Sequence, residues 1–136
     1  MRKYFSLILL SFFAVFGIAQ SYSDKKIVIQ KCIDLEELQP YFHEDLEGRK
    51  PLIIFDNGVL PNTLKLTKFD EPVVFMTKLD MFTYGKIAYL HFTTFTISTE
   101  KAEVIFKYDV EGITVKVSLV KIGGVWEVES ESIVEG

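Results

Sequence analysis

Two histidines, one cysteine and a scatter of tyrosines and carboxylates are the side chains from which this chain would first be expected to build acid–base or metal chemistry. His43 stands in Phe42-His-Glu-Asp45, beside Glu44 and Asp45. Residues adjacent on a helix point in different directions, so the three do not converge on an ion, and a solvated polar helix face accounts for them more simply. His91 stands in Tyr89-Leu-His-Phe92. On a strand it shares a face with Tyr89 and Thr93, opposite Leu90 and Phe92, which predicts an exposed or edge-facing imidazole; the sharper alternative is a general base. Cys32, between Lys31 and Ile33, reads as an inert buried thiol, with a reactive or dimer-forming thiol as the alternative. No Gly-x-Ser-x-Gly elbow occurs. Gly123-Gly124 lies between two strand-like runs and not ahead of a helix, so turn geometry explains it and a phosphate cradle does not.

Three further groupings remain. A tyrosine such as Tyr84, Tyr89 or Tyr108 beside Asp80 or Asp109 could do acid–base work in a pocket. The tail carries Glu127, Glu129, Glu131 and Glu135, a row that could meet a cation or a basic partner, though such rows more often form a solvated face that keeps an edge strand from pairing. Tyr84, Tyr89, Phe92, Phe95, Phe106, Tyr108 and Trp126 could line a cavity for an apolar ligand or simply fill the core, and filling the core is the simpler reading. No catalytic, cofactor-binding or metal-ligating set emerges from these residues, and no cofactor is expected.

The elements that position these side chains begin with a four-stranded antiparallel meander over Ile87 to Val134. In Ala102-Glu-Val-Ile-Phe-Lys-Tyr108, Val104, Phe106 and Tyr108 share one face and Glu103 and Lys107 the other, the two-residue period of a half-buried strand. Asp109-Val-Glu-Gly112 is a turn, and Ile113, Val115, Val117 and Leu119 resume the alternation. Trp126 and Val128 continue it beyond the Gly123-Gly124 turn. Ile87 to Ile97, rich in aromatic and β-branched residues, is the strand before.

Upstream, Ile27-Val-Ile29 could be a short first strand. Asp34 offers a helix N-cap with Glu37 three residues on, and Leu35, Leu38, Phe42 and Leu46 form an apolar stripe. Pro40 lies within that stripe, so a kink or two short helices meeting at Gln39-Pro40 is expected, Pro40 opening the second. Pro51 to Phe55 reads as a buried strand ending at Asp56-Asn-Gly58, and Val73 to Met76 as another. Thr77 to Gly85 is ambiguous, with Met81, Phe82 and Tyr84 suggesting a buried connection. The predicted class is therefore α+β, a curved antiparallel sheet packed on one short or kinked helical segment spanning Asp34 to Glu47.

Length and charge bound the rest. Arg2 and Lys3 precede an uncharged apolar block from Phe5 to Ile18, followed by Gly17-Ile-Ala19, the layout of a signal peptide cut between Ala19 and Gln20. The block falls short of the roughly 20 residues of a spanning helix, so no stable membrane anchor is expected after cleavage; an uncleaved anchor is the competing reading. Residues 1–19 are thus predicted to be a signal peptide, residues 20–26 a disordered lead-in and residues 27–136 a single domain, secreted or periplasmic. Of 136 residues, 15 are basic and 19 acidic; cleavage leaves 13 basic against 19 acidic, a net of −6. Nucleic acid is therefore a poor partner. With one cysteine there is no internal disulfide, and stability must come from the core.

The run from Ala102 through Tyr108 to Gly124-Val-Trp-Glu-Val128 resembles the closing strands of cystatin-like and nuclear-transport-factor-two-like domains, in which a strand pair ends in a Gly–Trp hairpin. Those families include small exported bacterial proteins, ketosteroid-isomerase-like enzymes and protein-binding modules. The resemblance implies either an exported, non-enzymatic domain that recognises a protein, an envelope component or a small apolar ligand, or a small pocket enzyme of ketosteroid-isomerase-like type using tyrosine–aspartate acid–base chemistry.

Overall fold

Residues 21–33 form a helix, α1, in the computed structural model, which describes residues 21–136; the expected signal peptide and its Ala19–Gln20 boundary lie outside the described residues. Val28, Ile29, Cys32 and Ile33 are completely buried along one stripe of α1. Their spacing of one, three and one residues is helical, and it overrides the local β-branched preference of Ile27-Val-Ile29, so the short strand expected there is a helix instead. The expected disordered lead-in is likewise corrected over its described part: residues 21–26 are helical. Distant partners hold it. The Asp24 carboxylate accepts from Trp126 Nε1 at 3.0 Å and from Lys121 Nζ at 3.1 Å, and the Tyr22 hydroxyl donates to the Thr63 carbonyl at 2.8 Å.

A 3₁₀ turn (Glu36–Leu38) leads directly into a four-residue helix, α2 (Gln39–Phe42), with Pro40 in its opening turn. Proline's missing N–H costs nothing there, and the expected meeting of two short helices at Gln39-Pro40 is what forms. Two finer expectations change. Asp34 does not cap this segment, because its carboxylate accepts from Gln30 Nε2 at 2.9 Å and from Lys68 Nζ at 3.2 Å. The helix stops at Phe42, before Leu46, which is left half exposed.

Among the described residues six strands form one open mixed sheet in the order β4-β1-β5-β6-β7-β8. They are β1 (Ile53–Phe55), β4 (Val74–Met76), β5 (Leu90–Ile97), β6 (Lys101–Tyr108), β7 (Ile113–Ile122) and β8 (Val125–Glu135). A separate two-residue hairpin pairs β2 (Thr67–Lys68) with β3 (Glu71–Pro72). β5 to β8 are the predicted antiparallel meander. β1, by contrast, runs parallel to both β4 and β5, so the sheet is not purely antiparallel. Long connections make this possible: residues 56–73 carry the chain from β1 to β4, and α3 (Lys78–Thr83) lies between β4 and β5.

The inward face of the sheet presents Ile54, Leu90, Phe92, Val104, Phe106, Tyr108, Val115, Val117 and Trp126 to α1, Leu38 and Phe42 in a single buried cluster. The cover is therefore chiefly α1, with the Glu36 to Phe42 segment extending it, and not the Asp34 to Glu47 segment alone. α3 packs beside β4, with only Met81 buried. Thr77 caps it by accepting from the Asp80 N–H at 3.2 Å. Thr77 to Gly85 is consequently not a buried connection: Leu79 is 72%, Phe82 87% and Tyr84 67% exposed.

The β2–β3 turn, Phe69-Asp70, holds both residues left-handed at φ 59° and 60°. Such a two-residue turn suits the twist of a hairpin but strains any residue with a Cβ. Phe69 is retained by its ring, which meets Phe42 edge-on at 5.7 Å. Asp70→Gly is therefore expected to stabilise the protein by about 0.5–1 kcal/mol in chemical denaturation, since glycine takes that conformation without strain. Unchanged or lower stability would mean that the Asp70 side chain contributes more than its backbone costs.

Candidate functional site

β8 is the last strand of the sheet, and α1 runs beside it. Between them lies an open groove of about 550 Å³ lined by Lys26, Ile27, Gln30, Lys31, Asp34, Leu35 and Val128. Ile27 (40% exposed) and Val128 (38%) form its apolar part with the more deeply set Leu35. Its helical wall is fixed. Gln30 Nε2 donates to the Thr67 carbonyl at 2.9 Å while its Oε1 accepts from the Thr67 N–H at 3.1 Å, and Lys68 pairs with Asp34 at 3.2 Å.

A bulge decides which side chains of β8 face this groove. Ser118 pairs with Ser130 and Leu119 with Val128, leaving Glu129 unmatched. An unmatched residue reverses the alternation. Trp126 and Val128 lie on the α1 side, and beyond the bulge so do Glu131, Ile133 and Glu135, opposite Val117, Val115 and Ile113. The four glutamates therefore do not share one face as even alternation predicts. Glu127 is on the outer face, Glu129 sits at the bulge, and Glu131 and Glu135 are on the helix-covered face. Glu135 accepts from the Tyr41 hydroxyl at 3.0 Å.

A second polar cluster closes the other end of the core. His43 ends α2 in a left-handed conformation (φ 47°) and places Nε2 2.9 Å from Glu111 Oε1. Arg49 Nη2 donates to Glu111 Oε2 at 2.9 Å, its Nη1 donates to the Phe42 carbonyl at 3.3 Å, and its guanidinium lies 5.8 Å from the centre of the Tyr108 ring. Burial would push the Glu111 carboxyl up, but the hydrogen bond from Arg49 and the pull of His43 and Arg49 outweigh it and hold it below the ordinary value of 4.5. Both Glu111 carboxylate oxygens are engaged, one by His43 and one by Arg49, so the cluster works as a clamp between α2, the loop at Arg49 and the turn at Glu111.

The other candidate residues are dispersed. His91 is half buried on the outer face with its ring 5.2 Å from Phe55. Cys32 is inside the core, and burial pushes its thiol up to about 12, which suppresses the nucleophilic thiolate. Tyr108 is in the core, Tyr89 packs on Phe55 from the outer face, and Tyr84, Asp80 and Asp109 are exposed. Among the described residues no side-chain hydrogen bond joins any of these tyrosines to either aspartate; Tyr84 meets Asp80 only through the backbone, its N–H donating to the Asp80 carbonyl at 3.0 Å at the end of α3. Phe92, Phe106, Tyr108 and Trp126 fill the core, whereas Phe95 is half buried and Tyr84 stands in solvent. Gly123-Gly124 forms the β7–β8 turn. Glu44 pairs with Lys50 at 3.1 Å, and Asp45 is exposed. Among the described residues no three His, Cys, Asp or Glu side chains gather as metal ligands, and no helix is long and apolar enough to cross a membrane.

Comparison with protein-family models, curated proteins and solved structures finds no match for this chain.

Proposed function

We propose that this chain is an exported, non-enzymatic binding domain whose docking surface is the groove between α1 and β8. The observation that supports it is the pairing of a filled core with an open groove at the sheet edge: the large aromatic side chains are spent inside, while Ile27 and Val128 stand partly bare at the surface. An apolar ligand enclosed within the sheet would need a cavity where Phe92 and Phe106 stack at 4.7 Å. Recognition of a protein or envelope component at the surface needs none. The likeness of the closing strands to cystatin-like and nuclear-transport-factor-two-like domains, some of which bind proteins, agrees with this reading. Export rests on the basic-then-apolar N-terminus, and an exported chain beginning at Gln20 by mass spectrometry is the expected result.

The docking surface is tested by placing a photo-reactive amino acid at Val128 and, separately, at Lys107 on the outer face. Irradiation in the native exported compartment is expected to give a discrete cross-linked product from position 128 and none from position 107. Equal products from both positions, or none from 128, would overturn the reading.

A second surface has an observation of its own. Leu79, Phe82, Tyr84 and Ile87 (77% exposed) stand out within nine residues around α3, more bulky apolar surface than an isolated domain usually leaves uncovered.

A further inference from the structure

We infer that the segment received at the α1–β8 groove is an extended peptide bearing lysine or arginine at alternate positions, which adds to β8 as a seventh strand. The inference rests on the docking surface proposed above and goes further by stating what docks and how.

The two edges of the sheet are built differently. β4 is three residues long, and the chain turns away from it into α3 on one side and the β2–β3 hairpin on the other. Short, flanked edges are the ordinary protection against unwanted pairing. β8 has neither protection. It is 11 residues long, about 35 Å of strand, and among the described residues nothing pairs beyond it in the sheet. Its outer row of N–H and C=O groups is a template for main-chain hydrogen bonding. The bulge at Glu129 divides that row and leaves two straight runs, Val125 to Val128 and Ser130 to Glu135.

Charge selects the occupant. Val125 to Glu135 contains four glutamates and no lysine or arginine. Lys116 and Lys121 belong to β7, one strand further from the edge, and Lys121 is already engaged with Asp24. On the side away from α1, a strand added at the usual spacing of about 4.8 Å meets Glu127 and the bulge residue Glu129 first, and the β7 lysine on that side, Lys116, lies about twice as far away. The groove sets the period. Side chains alternate across a strand, so every second residue of the added segment faces α1, where Ile27, Leu35 and Val128 offer an apolar seat. Lys26 and Lys31 on the rim disfavour a basic residue in that seat, whereas the intervening residues fall near Glu127 and Glu129. The favoured pattern is basic, apolar, basic.

The test titrates the protein with the heptapeptide Lys-Val-Lys-Val-Lys-Val-Lys, with the same peptide carrying Glu for Lys, and with the basic peptide N-methylated on every internal amide. The basic peptide is expected to bind, more weakly as salt rises, and the other two are expected to lose about tenfold or more in affinity. The double variant E127K/E129K should lose the basic peptide by a similar factor while keeping its circular dichroism and melting transition, because both side chains are exposed. Binding that withstands N-methylation, or an acidic peptide that binds as well as the basic one, would overturn strand addition. Val128→Lys separates the two levels: if it abolishes binding while N-methylation does not, the groove stands and the strand inference falls. If it changes nothing, the groove itself is not the site.

Discussion

Trp126→Ala is expected to lower the free energy of unfolding by about 3–5 kcal/mol, a large fraction of what a domain of this size possesses. The residue is 2% exposed and lies in the core cluster, so truncation leaves a cavity among side chains that only partly relax. It also removes the Nε1 donor to Asp24, which fastens α1 to the β7–β8 hairpin. Trp126→Phe separates the two effects. It retains most of the buried ring and loses the donor, and should cost about 1–3 kcal/mol, the usual result of leaving a partly covered carboxylate short of one hydrogen bond. Urea denaturation measures both. A loss below about 1 kcal/mol for the alanine variant would mean that α1 is not seated on this strand.

The clamp at the other end of the core gives the second large effect. Arg49→Met keeps the aliphatic stem beside Tyr108 but removes the charge-assisted bond to Glu111 and the bond to the Phe42 carbonyl. About 1–3 kcal/mol of stability should be lost at neutral pH. The pH dependence fixes the cause. Glu111 titrates below 4.5 in the folded protein, so its contribution is complete above the unfolded value and disappears as pH falls through the lowered folded value. The stability gap between the wild type and Arg49→Met should therefore be widest near neutrality and narrow once pH drops below about 4.5. Denaturation midpoints from pH 7 to pH 3 check this; a constant gap would mean that Arg49 acts through packing alone.

The half of the fold built on local signals was legible beforehand. Alternation in β6 and β7, and turns at Asp109 to Gly112 and Gly123-Gly124, declare the meander from neighbouring residues alone. Pro40 likewise states where a helix starts. α1 was hidden for two reasons. Ile27-Val-Ile29 has the β-branched composition of a strand, although Val28, Ile29, Cys32 and Ile33 carry a helical period; and the polar turn around Asp24 looks untethered because its partners, Lys121 and Trp126, are 97 and 102 residues away. Strand direction was equally silent. The runs at β1 and β4 read as buried strands, but nothing in a three-residue segment tells parallel from antiparallel. The candidate groove depends on the meeting of Ile27 and Leu35 with Val128, from opposite ends of the chain. The faces of the glutamates depend on a bulge that alternation does not reveal. The Arg49–Glu111 pair, 62 residues apart, belongs with these contacts that only the closed fold creates.

The whole reading turns on where the chain makes contact, and amide hydrogen exchange reads this residue by residue. With the basic heptapeptide added, protection should rise along β8 between Glu127 and Ile133 and on the facing turns of α1, with no change at Leu79 to Ile87. Protection gained around α3 and absent from β8 would contradict the account and move the binding surface to the opposite end of the sheet.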